Sequence, residues 1–246
     1  MTDVMKAVRR AGLAALTITA ALLAGCGNGD KTDTKAPAAA GNGVADAEPA
    51  AILDKARTAL KAAKSFHVKG AMSENGEVTQ IDLKVAGADV VGTVAFSGAK
   101  LEMLAVGGTR YVRPDEAFWT MIDSSGKTAK LMKQAVGDKW IKPAAGDASL
   151  GSFFFGASDI EEMLTPGGTV TKGEAKTVDG VPAIGLVDSA DTKTVLYVAT
   201  TGEPYPVKME RPAPEGLSFS EFNQTFADLK APPAAEVVDQ ASLKKK

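Results

Sequence analysis

The sequence predicts an α+β fold built on one large, curved, antiparallel β-sheet of about ten strands. Three observations carry this. Apolar residues alternate with a period of two in two long blocks, about 66–112 and about 169–226, each broken at short intervals by turn signals. Between the blocks lies a segment, 115–166, that is rich in aromatic residues and reads as short helices. Ahead of the first block, one stretch has a period of 3.6 instead of two.

That stretch is the first element, a helix that Pro49 precedes. Ile52, Leu53, Ala56, Ala59, Leu60 and Ala63 fall on one face, while Asp54, Arg57, Lys61 and Lys64 face away. From Phe66 the period changes. Phe66, Val68 and Met72 share a face, and His67 lies opposite them. Asn75-Gly76 supplies a hairpin turn. Ile81, Leu83 and Val85 then alternate with Gln80, Asp82 and Lys84, and Gly87-Ala88-Asp89 turns the chain again. Strands around Val90, Val94 and Phe96, around Leu101 and Met103, and around Tyr111-Val112 complete a meander of about five. Gly70 and Gly92, inside strands, help the sheet to curl.

In the middle segment Phe118, Trp119, Met121 and Ile122 crowd one short run. Lys127 to Val136 reads as a helix with Leu131, Met132, Ala135 and Val136 apolar, and Trp140-Ile141 as a brief strand. Phe153-Phe154-Phe155 and Ile160-Met163-Leu164 read as two short helical pieces, which Pro166-Gly167-Gly168 stops. Strands resume at 169–178, 181–187, 194–199, 205–211 and 217–226, with Asp179-Gly180 as a hairpin turn. Ala231-Pro232-Pro233 is a loop, and 241–246 a solvated basic tail.

A curled antiparallel sheet has a concave face, and the helical insert is the element expected to cover it. Alternation places Phe66, Val68, Met72, Leu83, Val94, Leu101 and Met103 on that face, with Phe118, Leu131, Phe154 and Met163 closing over them. These are the candidate ligand-binding residues. Two uses of the space stand open: a core plugged by aromatic side chains, or a cavity for an acyl ligand.

The N-terminal end carries a different signal. Lys6, Arg9 and Arg10 make a short basic region, and Ala11 to Leu23 is apolar except for Thr17 and Thr19. The run is shorter than the ~20 apolar residues a spanning helix needs, so it reads as a cleaved leader. It ends in Leu22-Leu23-Ala24-Gly25-Cys26, and Cys26 is the chain's single cysteine. A thiolate is the strongest side-chain nucleophile for accepting a diacylglycerol group. The pattern resembles the lipobox of bacterial lipoproteins, in which the cysteine is lipidated and becomes the first residue of the mature protein. The expected organisation is therefore a leader at 1–25, a lipidated cysteine and flexible tether at 26–50, one folded domain at 51–240 and the tail at 241–246. Three of the chain's 28 basic residues and one of its 30 acidic residues fall in the leader, leaving a net charge of −4. That balance disfavours nucleic acid as a partner.

No catalytic constellation emerges. His67 is the only histidine, and alternation puts it on the solvent side. With one histidine and a lipidated cysteine, a zinc site lacks ligands. Gly126-Lys127-Thr128 mimics the end of a phosphate-binding loop, but Met121 stands where the first glycine belongs. Ser-x-x-Lys occurs at Ser97, Ser124 and Ser242 without the accompanying motifs of a serine acyltransferase. Asp188 and Asp191 read as a polar hairpin turn, since EF-hand spacing is missing. The expectation is a protein that is not an enzyme and takes no cofactor or metal.

Several short motifs, in order, carry a resemblance. They are Ala-Leu-Lys-Ala-Ala-Lys-Ser-Phe-His-Val-Lys-Gly (59–70), Gly-Gly-Thr-Arg-Tyr-Val (107–112), Phe118-Trp119, Asp138-Lys139-Trp140-Ile141-Lys142, and Asp179-Gly180-Val181-Pro182-Ala183. Leu196-Tyr197-Val198, Pro204-Tyr205-Pro206 and the run from Phe219 to Phe226 follow. With the lipobox and tether, this resembles the LppX/LprA/LprF/LprG group of actinobacterial envelope lipoproteins, similar in fold to the LolA/LolB carriers. The resemblance implies a half-barrel whose concave face, closed by helices, holds acyl chains. It implies a location on the outer face of the cytoplasmic membrane and a role in carrying or chaperoning acylated lipid. The partners expected are the membrane through Cys26, an acylated lipid or glycolipid, and an envelope transport protein. The alternative expectation is a lipoprotein with a plugged core that acts as a protein-interaction module.

Overall fold

The structure, a computed structural model, describes residues 41–74, 76–144, 147, 150, 154 and 156–243. The leader, Cys26 and most of the expected tether lie outside the described residues, as do Asn75, Phe153 and Phe155.

Helix α1 spans Pro49–Ala62, with Pro49 in its first turn, where a missing N–H leaves no bond unmade. Ile52, Leu53, Ala56, Ala59 and Leu60 are buried, the stripe that the spacing predicts. The fold begins earlier than the expected boundary at 51. Val44, in a short 3-10 turn, is 1% exposed, Gly41 bridges to Thr201, and Asn42 Nδ2 donates to the Ala199 and Gly202 carbonyls at 3.1 and 3.0 Å.

Strands β1 (Phe66–Glu74), β2 (Glu77–Ala86), β3 (Asp89–Phe96), β4 (Ala99–Val106) and β5 (Thr109–Pro114) form the expected meander. Helices α2 (Glu116–Ile122) and α3 (Lys127–Ala135), strand β6 (Trp140–Lys142) and helix α4 (Ala157–Glu162) make the insert. Strands β7 (Val170–Val178), β8 (Val181–Asp188), β9 (Asp191–Ala199), β10 (Pro206–Glu210) and β11 (Gly216–Ser220) follow, then β12 (Val237–Asp239) and helix α5 (Gln240–Leu243). All twelve strands join one open, mostly antiparallel sheet in the order β12-β6-β5-β4-β3-β2-β1-β11-β10-β9-β8-β7. Together with the helices this is an α+β fold.

Two local expectations are corrected. The last strand of the second block stops at Ser220 rather than 226, because Glu221 and Asn223 adopt φ of 53° and 59°. There Asn223 Oδ1 accepts the Lys64 backbone N–H at 2.8 Å, which turns the chain back over the end of α1. Beyond the loop expected at 231–233, Val237–Asp239 adds a strand that pairs parallel with Trp140–Lys142. Phe154 is not in a helix.

Register puts one continuous apolar face on the sheet. A cross-strand row runs Ile141, Val112, Met103, Gly92, Leu83, Val68, Phe219. A second row runs Leu101, Val94, Ile81, Gly70, Leu217, Met209, Leu196, Leu186. Each row has a glycine at its middle. A Cβ on Gly70 would lie 2.0 Å from the Gly216 carbonyl oxygen, and one on Gly92 2.0 Å from that of Asp82. Backbone approaches backbone there, which only glycine allows.

The insert does not cover this face alone, as the sequence reading expected. Helices α1 and α4 bury the part made by β1, β2, β3 and β8–β11. Helices α2 and α3 pack on Ala99, Leu101, Val112 and Ile141 with Phe118 as the central plug. A third cluster, Val178, Ala183, Tyr197, Ala199 and Val207, lies on the opposite face of β7–β10. Both sheet edges are blunted against pairing with other chains. β7 carries Lys172, Glu174, Lys176 and an irregular register, and β12 is three residues long. Among the described residues no helix is long and apolar enough to cross a membrane.

Candidate functional site

Where the second row of apolar residues runs under α1, packing is incomplete and leaves a cavity of about 380 Å³. Its sheet side is built from Met72 of β1, Leu217 of β11, Met209 of β10, Leu196 of β9, Leu186 of β8 and Val170 of β7. Leu53 of α1 and the segment Met163–Gly167 after α4 form the other side. The walls are apolar because these strands present alternate residues inward, and each contributes one or two of them.

The polar groups gather at one rim. Asp188, Ala190, Asp191, Thr194 and Arg211 line it, all from the β8–β9 turn and the end of β10. Arg211 Nη2 meets Asp191 Oδ2 at 2.9 Å, its Nη1 meets Glu215 Oε2 at 3.1 Å, and its Nε donates to Thr194 Oγ1 at 2.8 Å. Thr194 Oγ1 donates in turn to Asp191 Oδ2 at 2.6 Å. The Thr194 hydroxyl, then the Arg211 guanidinium, hold the Asp191 carboxyl below the usual carboxylate range. Asp188 accepts the Gly167 N–H at 2.6 Å and the Ala190 N–H at 2.9 Å, tying the turn to the segment after α4. From α1, Arg57 Nη2 donates to Thr165 Oγ1 at 3.3 Å.

The predicted site residues divide. Met72 and Met163 line the cavity. Phe66, Val68, Leu83, Val94 and Met103 share its face but are packed into the main core; Val94 is 1% exposed. Leu101 and Phe118 belong to the second cluster, under α2. Phe154 packs between the two clusters, with the Arg110 guanidinium 5.0 Å from its ring centroid. Leu131 is 64% exposed and covers nothing, because Ala129, Met132 and Val136 form the inner side of α3. Leu186, Leu196, Met209 and Leu217 line the cavity and were missed. Period-two alternation in the second strand block is the signal that places them on that face.

Elsewhere, a hollow of about 570 Å³ lies beside the third apolar cluster, lined by Val178, Ala199 and Val207 and by the stacked rings of Tyr205 and Phe222. His67, on the opposite face from Phe66, bonds through Nε2 to Asp82 Oδ1 at 2.7 Å and lies 3.7 Å from Glu221. Lys84 pairs with Asp228 at 2.8 Å and holds the 224–228 segment beside it. Compared with protein-family models and with curated proteins, the chain matches none.

Proposed function

We propose that the chain is a membrane-anchored lipoprotein that binds and carries or chaperones an acylated lipid in the cavity beneath α1. On this reading the sheet is a half-barrel whose concave face α1–α4 close, and Cys26 is the lipidated anchor on the outer face of the cytoplasmic membrane. The observation that carries it is the cavity: about 380 Å³, largely apolar walls, and its charged groups Asp188, Asp191 and Arg211 together at one rim. Ligand sites run from ~300 to 1,000 Å³ with few, placed polar groups. The lipobox and the resemblance to envelope lipid carriers point the same way. Methylenes contribute about 0.8 kcal/mol each on burial, so the chain must be swallowed nearly whole to offset the cost of association.

A second reading, a protein-interaction module, is favoured by a specific observation. Much of the apolar face is already plugged by α1 and Phe118, and Met121, Ile122 and Leu131 stand exposed on α2 and α3. Uptake of a fluorescent acyl probe by the delipidated protein separates the two. The carrier reading predicts saturable uptake that Leu196→Trp abolishes. Uptake that is missing, or that ignores Leu196→Trp, overturns it.

A further inference from the structure

The rim of the cavity has an unusual charge arrangement for a lipid site, and it bears on the head group. Asp188, Asp191 and Arg211 line it; Glu215 pairs with Arg211, and Arg57 of α1 bonds Thr165, another lining residue. Arg211 is spent: one arm faces Asp191, the other Glu215, and its Nε faces Thr194. Arg57 stays half-buried beside Thr165. Together these groups carry a net negative charge, and among the described residues Arg57 is the cation beside the rim without a carboxylate partner. It is nonetheless rich in hydrogen-bonding capacity, because a carboxylate has about four lone-pair sites and only some are used. The volume also limits the occupant. A methylene takes on the order of 30 Å³, close to a water's share of the liquid, so the cavity holds roughly a dozen carbons.

We propose that the cavity selects lipids that insert one acyl chain and carry an uncharged, hydroxyl-bearing head, and that the rim rejects carboxylate and phosphate heads. The inference rests on the lipid-carrier reading. Hydroxyls donate to Asp188 and Asp191 and accept from Arg57, so such a head uses both kinds of rim group. An anionic head adds one more negative charge beside three carboxylates while losing water. Specificity here comes from a repulsive element as well as an attractive one.

The test compares 1-monolauroylglycerol with dodecanoate, matched in chain length, by titration calorimetry below their micellar concentrations. The protein is the delipidated full chain with Cys26→Ser, so that no anchor lipid competes. Monolauroylglycerol should bind at least about tenfold more tightly than dodecanoate. Asp191→Asn, which removes one charge and frees one arm of Arg211, should raise dodecanoate affinity and so narrow the preference for monolauroylglycerol. Glu215→Gln, outside the cavity wall, is the second variant and should shift dodecanoate in the same direction. Circular dichroism checks that each variant is folded. Equal affinities for the two lipids, or a preference that neither variant changes, overturn the rim's role and leave the carrier reading standing. Binding of neither lipid overturns both.

Discussion

Gly70 on β1 faces Gly216 on β11 so closely that a Cβ on Gly70 would stand 2.0 Å from the Gly216 carbonyl oxygen. This contact sits on the seam where the two strand blocks, far apart in sequence, zip together: Gly70 pairs with both Ile81 and Leu217. A side chain there would push the blocks apart directly beside the cavity.

Gly70→Ala should therefore lower stability by about 2–3 kcal/mol, and Gly92→Ala by a similar amount, since both add steric overlap with backbone to a strained φ. Gly41→Ala is the control: its Cβ would meet only the Thr200 carbonyl oxygen, at 3.8 Å. Urea midpoints of the three variants check this. Gly70→Ala with a midpoint equal to that of Gly41→Ala would refute the close approach.

Two tryptophan substitutions on one face should behave oppositely. Met72 borders the cavity, so Met72→Trp fills open space, costs little stability and blocks acyl uptake. Val94 is packed on all sides in the core, so Val94→Trp overpacks it and costs about 1–3 kcal/mol or more. Thermal midpoints and probe uptake of both proteins decide it. A severe loss of stability in Met72→Trp would mean that the cavity is closed by repacking.

Stability should fall on acidification below about pH 4, the range in which unfolded carboxyls take up protons. Five carboxyls drive this: Asp82, beside Lys69 and His67, Asp123, which accepts from Ser125 and Thr128, and three more. The Thr194 hydroxyl and Arg211 lower the Asp191 carboxyl, Lys84 lowers Asp228, and Lys176 lowers Glu210. Each is depressed in the folded state. Its contribution is therefore complete above the unfolded value and is lost as pH falls through the folded one. Denaturation midpoints between pH 7 and 2.5 measure this, and Asp191→Asn should flatten the acid limb. An acid limb unchanged in that variant would remove Asp191 from the set.

Cys26→Ser should release the protein from membranes without unfolding it, since the core from Gly41 onward makes its contacts without it. Fractionation with a high-salt wash, alongside circular dichroism, tests the anchor. Retention of the variant in the washed membrane fraction would exclude Cys26 as the attachment point.

Local periodicity made much of the fold legible. The buried stripe of α1, the first meander and the shared face of Phe66, Val68 and Met72 all follow from spacing alone, because neighbours in sequence decide them. The cavity does not follow, because its position depends on the pairing of β1 with β11, which no local pattern encodes. Alternation gave the face of Val94 correctly but not that the main core closes over it. Leu131 went wrong for a related reason. On α3 an apolar residue lies on the core side only if its phase matches Ala129, Met132 and Val136, and Leu131 is out of phase. Asp188 and Asp191 read as a turn, and they do make one, but their role at the rim depends on Arg211 arriving from β10.

The most direct test of the lipid-carrier account is native mass spectrometry of the full chain with Cys26→Ser, purified without detergent or added lipid, beside the same protein with Met72→Trp. The account predicts a population carrying one lipid adduct, with an acyl chain recoverable by solvent extraction, and no adduct on the Met72→Trp protein. A chain of bare mass that still takes up nothing after incubation with a total membrane lipid extract would contradict it.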